Sequence, residues 1–151
     1  MKKIEGFRCV ECARQCGLAE TKYICPRCQG NLSVVYDYNA LRMRLSRKSL
    51  KADPDRSLWR YLEVLPLSGR SGIPPVQAGW TPLYHARKLG AALGLKNLYL
   101  KDDGRNPSAS FKDRASAIVA ARAFQTKEGI VAGASTGNAA ASLACMMAHR
   151  E

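Results

Sequence analysis

Apolar and polar positions alternate in only one clear place early in the chain. Leu32-Ser33-Val34-Val35-Tyr36 sends its side chains to opposite faces, as a strand does. Further on, Arg42 to Leu50 predicts a short basic helix. Asp53-Pro54-Asp55 would cap a second helix over Leu58 to Leu65, ended by Pro66. Trp59, Tyr61 and Leu62 then read as packing anchors. Gly69 to Gly79, rich in Gly and Pro, predicts a loop. From Gly79 the texture is α/β. A short extended piece, Gly79-Trp80-Thr81-Pro82-Leu83, precedes a helix from Arg87 to Leu93 stopped by Gly94. A strand follows over Asn97 to Lys101, then a helix from Ser110 to about Lys127 closed by Gly129. Ile130-Val131-Ala132-Gly133-Ala134 reads as a buried strand, and Ala139 to Glu151 as a last helix. Strand, helix, strand and helix at these lengths predict a parallel pair with a right-handed crossover. The expected fold class is therefore α/β: a partial open parallel sheet with flanking helices, preceded by a small cysteine ribbon. The expected segments are a ribbon over 1–36, a helical and loop connector over 37–78, and an α/β part over 79–151.

Composition narrows the class. A chain of 151 residues with 46% hydrophobic content can bury one ordinary core and a small satellite. No apolar run approaches the ~20 residues of a membrane-spanning helix. The start, with Lys2 and Lys3 ahead of a charged, cysteine-containing segment, lacks the apolar core of a signal peptide. A cytoplasmic location is expected, with the six cysteines as thiols or metal ligands. The formal charge is +12, and its densest block is Arg42, Arg44, Arg47, Lys48 and Lys51. That block suits a solvated helical face or a surface for anionic metabolites. No recognition motif with interleaved aromatics accompanies it, so no nucleic-acid partner is expected.

The cysteine spacing carries the first chemical signal. Cys9-x2-Cys12-x12-Cys25-x2-Cys28 presents two knuckles that can wrap four thiolates around one tetrahedral Zn²⁺. The pattern has no spare His and no open position, which points to a structural site. A redox C-x-x-C would sit at a helix start in a βαβ context, and Cys16 is an alternative ligand within the first half of the ribbon.

The second signal is Asn106-Pro107-Ser108-Ala109-Ser110-Phe111-Lys112-Asp113-Arg114. Ser110 and Asp113 have the spacing of a capping box. Ser110 would accept from the N–H of residue 113, and Asp113 would reach back to the N–H of Ser110. Lys112 then falls in the first turn of a helix. A cation there opposes the helix dipole by roughly 0.3–1 kcal/mol, whereas a neutral amine, the nucleophile of Schiff-base chemistry, does not. By itself such a lysine is equally a surface residue with its head in water. Ser135-Thr136-Gly137-Asn138, after the next expected strand, offers side-chain donors and a close-approach glycine ahead of a helix N-terminus. It suits a carboxylate or phosphate, and also plain capping. Open parallel sheets bind ligands beyond the carboxyl ends of their strands, so both stretches are expected at one crevice.

These motifs resemble those of the threonine synthase family, pyridoxal-phosphate (PLP) enzymes of the tryptophan-synthase-β-like group. The resemblance covers nearly the whole chain. It includes the cysteine ribbon, Ser57-Leu58-Trp59-Arg60-Tyr61, Gly79-Trp80-Thr81-Pro82-Leu83, Leu98-Tyr99-Leu100-Lys101-Asp102-Asp103, Ser110-Phe111-Lys112-Asp113-Arg114 and Ala134-Ser135-Thr136-Gly137-Asn138. The resemblance implies PLP fold type II, truncated, with Lys112 carrying PLP as a Schiff base and Phe111 walling the cofactor. Asn138 would bond the ring hydroxyl, and Ser135 and Thr136 would hold the substrate carboxylate. The implied reaction takes O-phospho-L-homoserine and water to L-threonine and phosphate. Implied partners are a small amino-acid substrate, no nucleic acid and no membrane, with a homodimer for a full-length protein. Many relatives have Thr-Gly where Ser108-Ala109 stand, and a glycine at Ala13. Family members are much longer, and no PLP-phosphate cradle is evident here. The chain is thus expected to be an N-terminal portion that is inactive alone. The alternatives are another superfamily member, such as a threonine or serine dehydratase or cysteate synthase, or a non-catalytic zinc-ribbon remnant.

Overall fold

The computed structural model describes residues 3–20 and 23–148. It divides into two compact units: Met1–Asp53 with Glu63–Pro66, and Pro54–Leu62 with Leu67–Glu151.

In the first unit β1 (Ile4–Cys9) lies between β2 (Gln15–Cys16) and β3 (Leu32–Tyr36), both antiparallel to it. Phe7 faces Cys16 on one side and Val34 on the other, and Cys9 faces Leu32. The alternating 32–36 run therefore forms the strand its pattern predicts. The expected single basic helix is two, α1 (Tyr38–Arg44) and α2 (Arg47–Ala52). The break has a local cause. Leu45 is extended, and Ser46 caps α2, accepting the Ser49 N–H while Ser49 Oγ accepts the Ser46 N–H. Asp37 caps α1 through the Ala40 N–H at 2.9 Å.

The segment Leu58–Val64 is a 3-10 helix with a kink at Tyr61 rather than the expected α-helix. Trp59 is buried as an anchor should be, whereas Tyr61 is 39% exposed and lies under the Arg60 guanidinium. In the second unit β4 (Leu83–His85) and β5 (Tyr99–Lys101) form an antiparallel pair with α3 (Arg87–Ala92) between them in sequence. Two longer helices, α4 (Lys112–Gln125) and α5 (Asn138–Met147), pack on each other. Their buried positions are mostly small: Ser116, Ala117, Ala120, Ala121 and Ala123 on α4, Ser142 and Met146 on α5. Small residues let helix backbones approach, and Met146 fills the remaining space, so truncating it to Ala is expected to cost about 2–5 kcal/mol. At the far end of α4, Gln125 fastens the 68–71 loop. Its Oε1 accepts from Ser68, and its Nε2 donates to the Gly69 and Ser71 carbonyls.

The parallel sheet is not formed. Both sheets among the described residues are antiparallel. Residues 130–134 join no ladder, and Ile130 is 88% exposed. The reason lies in what a strand requires. An apolar run becomes a strand only when a neighbour takes its N–H and C=O groups, and among the described residues β5 pairs with β4 alone while 130–134 has no ladder partner. The expected last helix begins at Asn138, one residue early, and residues 149–151 lie outside the described residues.

Candidate functional site

Lys112 is the first residue of α4, in the first turn as its spacing predicts. The expected capping box is not what holds it. Phe111 occupies the cap position with helical backbone and no side-chain cap. Ser110 Oγ accepts the Lys112 N–H at 3.2 Å, and the Asp113 N–H goes to the Ser110 carbonyl. The Asp113 carboxylate, fully buried, passes over Ser110 and accepts from the Ser108 N–H at 2.7 Å and from its hydroxyl. Burial explains the choice. A carboxylate enclosed by protein must be satisfied there, and Ser108 supplies two donors. Between them Ala109 takes φ +56°, the left-handed region that favours glycine. The position where the family resemblance leads to an expectation of glycine is thus one whose backbone suits glycine.

Arg114 completes the turn. Its Nε and Nη2 form a two-point pair with Asp103 at 2.9 and 2.8 Å, and Nη2 also reaches Thr81 Oγ1 at 3.3 Å. The Thr81 hydroxyl donates to Asp103 at 2.6 Å, and Lys101 Nζ donates to the Thr81 carbonyl. Hydrogen bonds from Arg114 hold the Asp103 carboxyl well below the usual carboxylate range. The Thr81 hydroxyl and the charge of Lys101 add to this, against an opposing effect of burial. Asn106, itself buried, links the same group. Its Oδ1 accepts the Gly79 N–H at 2.9 Å and its Nδ2 donates to the Asp103 carbonyl at 2.8 Å. Gly79 is required there. At φ +85°, a Cβ would lie 2.9 Å from Leu58 N and 3.1 Å from Arg114 Nη1. In this setting the Lys112 amine sits 4.7 Å from the centre of the Phe111 ring.

Asn138 begins α5, so Lys112 and Asn138 both stand at the N-termini of helices that pack together. Ser135, Thr136 and Asn138 are exposed, and Ser135 Oγ accepts the Gly137 N–H at 3.2 Å. Among the described residues no hydrogen bond joins Lys112 to this loop. Lys112 lies against Phe111.

The four expected metal ligands do converge. The sulfurs of Cys9, Cys12, Cys25 and Cys28 all lie within 4.8 Å of one another. Cys9 and Cys28 are 3.4 Å apart, Cys12 and Cys25 3.7 Å. A tetrahedron with Zn–S near 2.3 Å has edges of about 3.8 Å, so the donor set fits such an ion in both element and spacing. Two copies of one turn build it. Cys9 N–H bonds the Arg14 carbonyl as Cys25 N–H bonds that of Gly30, and Cys9 and Cys25 carbonyls accept from Ala13 and Gln29. Ala13 and Gln29, each directly after a second cysteine, share φ near +60°. Gly30 leaves room for the group, since a Cβ there would come 2.6 Å from Glu11 and 3.1 Å from Cys9 Sγ. The thiols divide. Cys25 is lowered to about 6, its burial being outweighed by the N–H groups of Cys28 and Arg27. Cys28 is raised to about 12, with the neighbouring Cys9 and Cys12 sulfurs outweighing the Gly30 N–H. Cys16 is buried on β2 outside the group of four, and burial pushes its thiol up.

Residues 76–150, which include the whole lysine turn and the 135–138 loop, match the model of the family described as "Pyridoxal-phosphate dependent enzyme". This segment is similar to members of that family. The threonine synthase of Methanocaldococcus jannaschii is 40% identical over 142 residues, covering 94% of this chain and 35% of the relative. That of Methanosarcina acetivorans is 36% identical over 138 residues, 91% of this chain and 33% of the relative. The threonine synthase of Mycobacterium leprae is 40% identical over 89 residues, 59% of this chain and 24% of the relative. The chain spans about a third of the length of the two archaeal relatives. No solved structure shows a significant match. Within the family segment, the groups that sequence reasoning missed are Thr81, Asp103, Asn106 and Arg114. Thr81, Asp103 and Arg114 lie in stretches whose likeness to the family is visible in the sequence, and Asn106 lies between two of them. Their mutual contacts, across separations of up to 33 residues, are not visible there.

Proposed function

We propose that this chain supplies the cofactor-anchoring part of a threonine synthase-like enzyme that converts O-phospho-L-homoserine and water to L-threonine and phosphate. The observation that carries the reading is the 40% identity to a threonine synthase along 94% of the chain. The residues present fit a PLP anchor: an amine at the start of α4 beside an aromatic ring, with side-chain donors ahead of α5. PLP, when bound, supplies an electron sink for negative charge at the substrate Cα. Lys112 Nζ would be the covalent anchor and, once released, would move the Cα proton. Phe111 walls the cofactor and keeps water from one side of it. Asn138 bonds its ring hydroxyl. Ser135 and Thr136 bind the substrate carboxylate, ahead of a helix N-terminus that favours an anion.

Cys9, Cys12, Cys25 and Cys28 hold a structural Zn²⁺ in a ribbon over 1–36. A connector over 37–78 leads to the catalytic part over 79–151. Thiolate ligation suits a reducing compartment, hence the cytoplasm. No helix among the described residues is long and apolar enough to cross a membrane. The test replaces the matched third of the Methanocaldococcus jannaschii enzyme with this chain's 142 matched residues. The chimera should release phosphate from O-phospho-L-homoserine and form threonine in equal amount. A chimera that folds, binds PLP and deaminates threonine or serine without releasing phosphate would overturn the substrate assignment in favour of a dehydratase.

A further inference from the structure

The first turn of α4 carries three consecutive ionisable side chains, and two of them are tied down. Asp113 is fixed to Ser108, and Arg114 is fixed to Asp103 and Thr81. Lys112 lies between the preceding loop and these two anchors, its side chain against Phe111. We propose that the Asp103–Arg114 pair, steadied by Thr81, is a positioning device for Lys112. It sets the pitch and start of α4 so that the amine is presented in one place. This rests on the reading of Lys112 as the PLP anchor.

The physical case has two parts. A two-point guanidinium–carboxylate pair fixes orientation as well as distance, which a single charge contact does not. It also acts at a helix start where Phe111 provides no side-chain cap, adding a long-range restraint to the local bonds that Ser110 and Asp113 make. Attack on a carbonyl depends steeply on placement, and a shift of about 1 Å can cost roughly a hundredfold. Asn106 extends the same restraint to Gly79 and to the backbone of Asp103. The loop carrying Lys112 is therefore held from 79 through 114. Asp103 and Arg114 act through Lys112 and are positioning residues.

The experiment uses the 151-residue chain and PLP itself. Each variant is incubated with PLP and reduced with borohydride at timed intervals, and the pyridoxyl-lysines are mapped by peptide mass spectrometry. Circular dichroism in the cofactor absorption band reports whether the adduct has one orientation. In the unmutated chain Lys112 should be labelled ahead of every other lysine. Arg114→Ala should slow labelling at Lys112 by roughly ten- to a hundredfold, leave the other lysines unchanged and abolish the cofactor-band signal. Arg114→Lys, which keeps the charge without the fork and is the safer variant for folding, should fall between the two. Exchanging the partners, Asp103→Arg with Arg114→Asp, should restore part of the selectivity lost in Arg114→Ala. Gln125→Ala, at the other end of the same helix, should lower thermal stability without changing selectivity. If the unmutated chain is not labelled selectively at Lys112, the anchor reading and this inference both fall. Should Lys112 be labelled selectively and Arg114→Ala and Arg114→Lys leave its rate within about twofold, the positioning role alone is wrong. It is equally wrong if Gln125→Ala impairs Lys112 labelling as much at matched stability.

Discussion

The cysteine cluster and the lysine turn are both built from short motifs, yet they are held in different ways. The cluster takes all four sulfurs from residues 9–28, and the turns around them close on themselves through bonds of four and five residues' span. The lysine turn depends on Thr81, Asp103 and Asn106, brought from well before it. A local site can be recognised from spacing because spacing is its geometry. A site assembled from separated segments shows its members in the sequence and hides their contacts.

The largest expected effects test whether each site does its own chemistry. Lys112→Ala in the chimera should remove the bound-cofactor absorbance and lower turnover by orders of magnitude, since it deletes both anchor and proton carrier. Absorbance and turnover close to those of the unmutated chimera would break the assignment. At the other site, metal analysis of reduced protein should find about one zinc per chain, and Cys25→Ser should find almost none. Structural zinc contributes of order 10 kcal/mol, so the residue 1–36 segment should loosen and exchange amide hydrogens quickly. Residues 112–125 should keep their protection. Loss of protection throughout the chain would mean that the cluster is not the self-contained site described above.

A smaller effect separates the two sites by pH. The Asp103 carboxyl is held low in the folded chain, so its contribution is present above the ordinary carboxylate value near ~3.9 and is lost as pH falls below it. Acidification below about pH 4 should therefore destabilise the lysine unit. Asp103→Asn should be less stable near neutrality by about 1.5–3 kcal/mol, the range for hydrogen bonds to charged groups, with a flatter acid limb. A denaturation series from pH 3 to 7 checks this. Identical acid limbs in the two proteins would remove the pair from any account of stability.

The smallest effects fall on residues that the two sites have in common as a type. Ala13, after the first cysteine knuckle, and Ala109, before the lysine helix, both adopt φ near +57°. A left-handed alanine is strained by roughly 1 kcal/mol, so Ala13→Gly and Ala109→Gly should each raise stability by about that amount. Urea titration would measure it. Destabilisation by either glycine would show that the turn is held by its neighbours and not strained by its own residue.

Much of the chain was legible where neighbours in sequence are neighbours in space. The 32–36 strand, the first-turn position of Lys112 and the α3 and α4 helices follow from period and punctuation. The Cys9, Cys12, Cys25 and Cys28 grouping follows from spacing. The failures share a cause. The 130–134 run has the composition of a buried strand, but a strand needs a partner for its backbone groups, and among the described residues none pairs with it. The spacing predicts that Asp113 closes a capping box on Ser110; the buried carboxylate goes instead to Ser108, which supplies two donors, and Ser110 Oγ accepts from Lys112. The interruption at Leu45 and Ser46 was written in the sequence, as two serines at capping distance, but lay inside a run of basic residues that reads as one helix.

The paired cysteine turns also set an order in time. A chain emerges from the ribosome N-terminus first, at about 5–20 residues each second. Every sulfur of the cluster has left before Lys112 is joined to the chain. The metal-binding turns can close while the partners of Arg114 are still being made, so the cysteine unit has several seconds as a finished neighbour to an unfinished one.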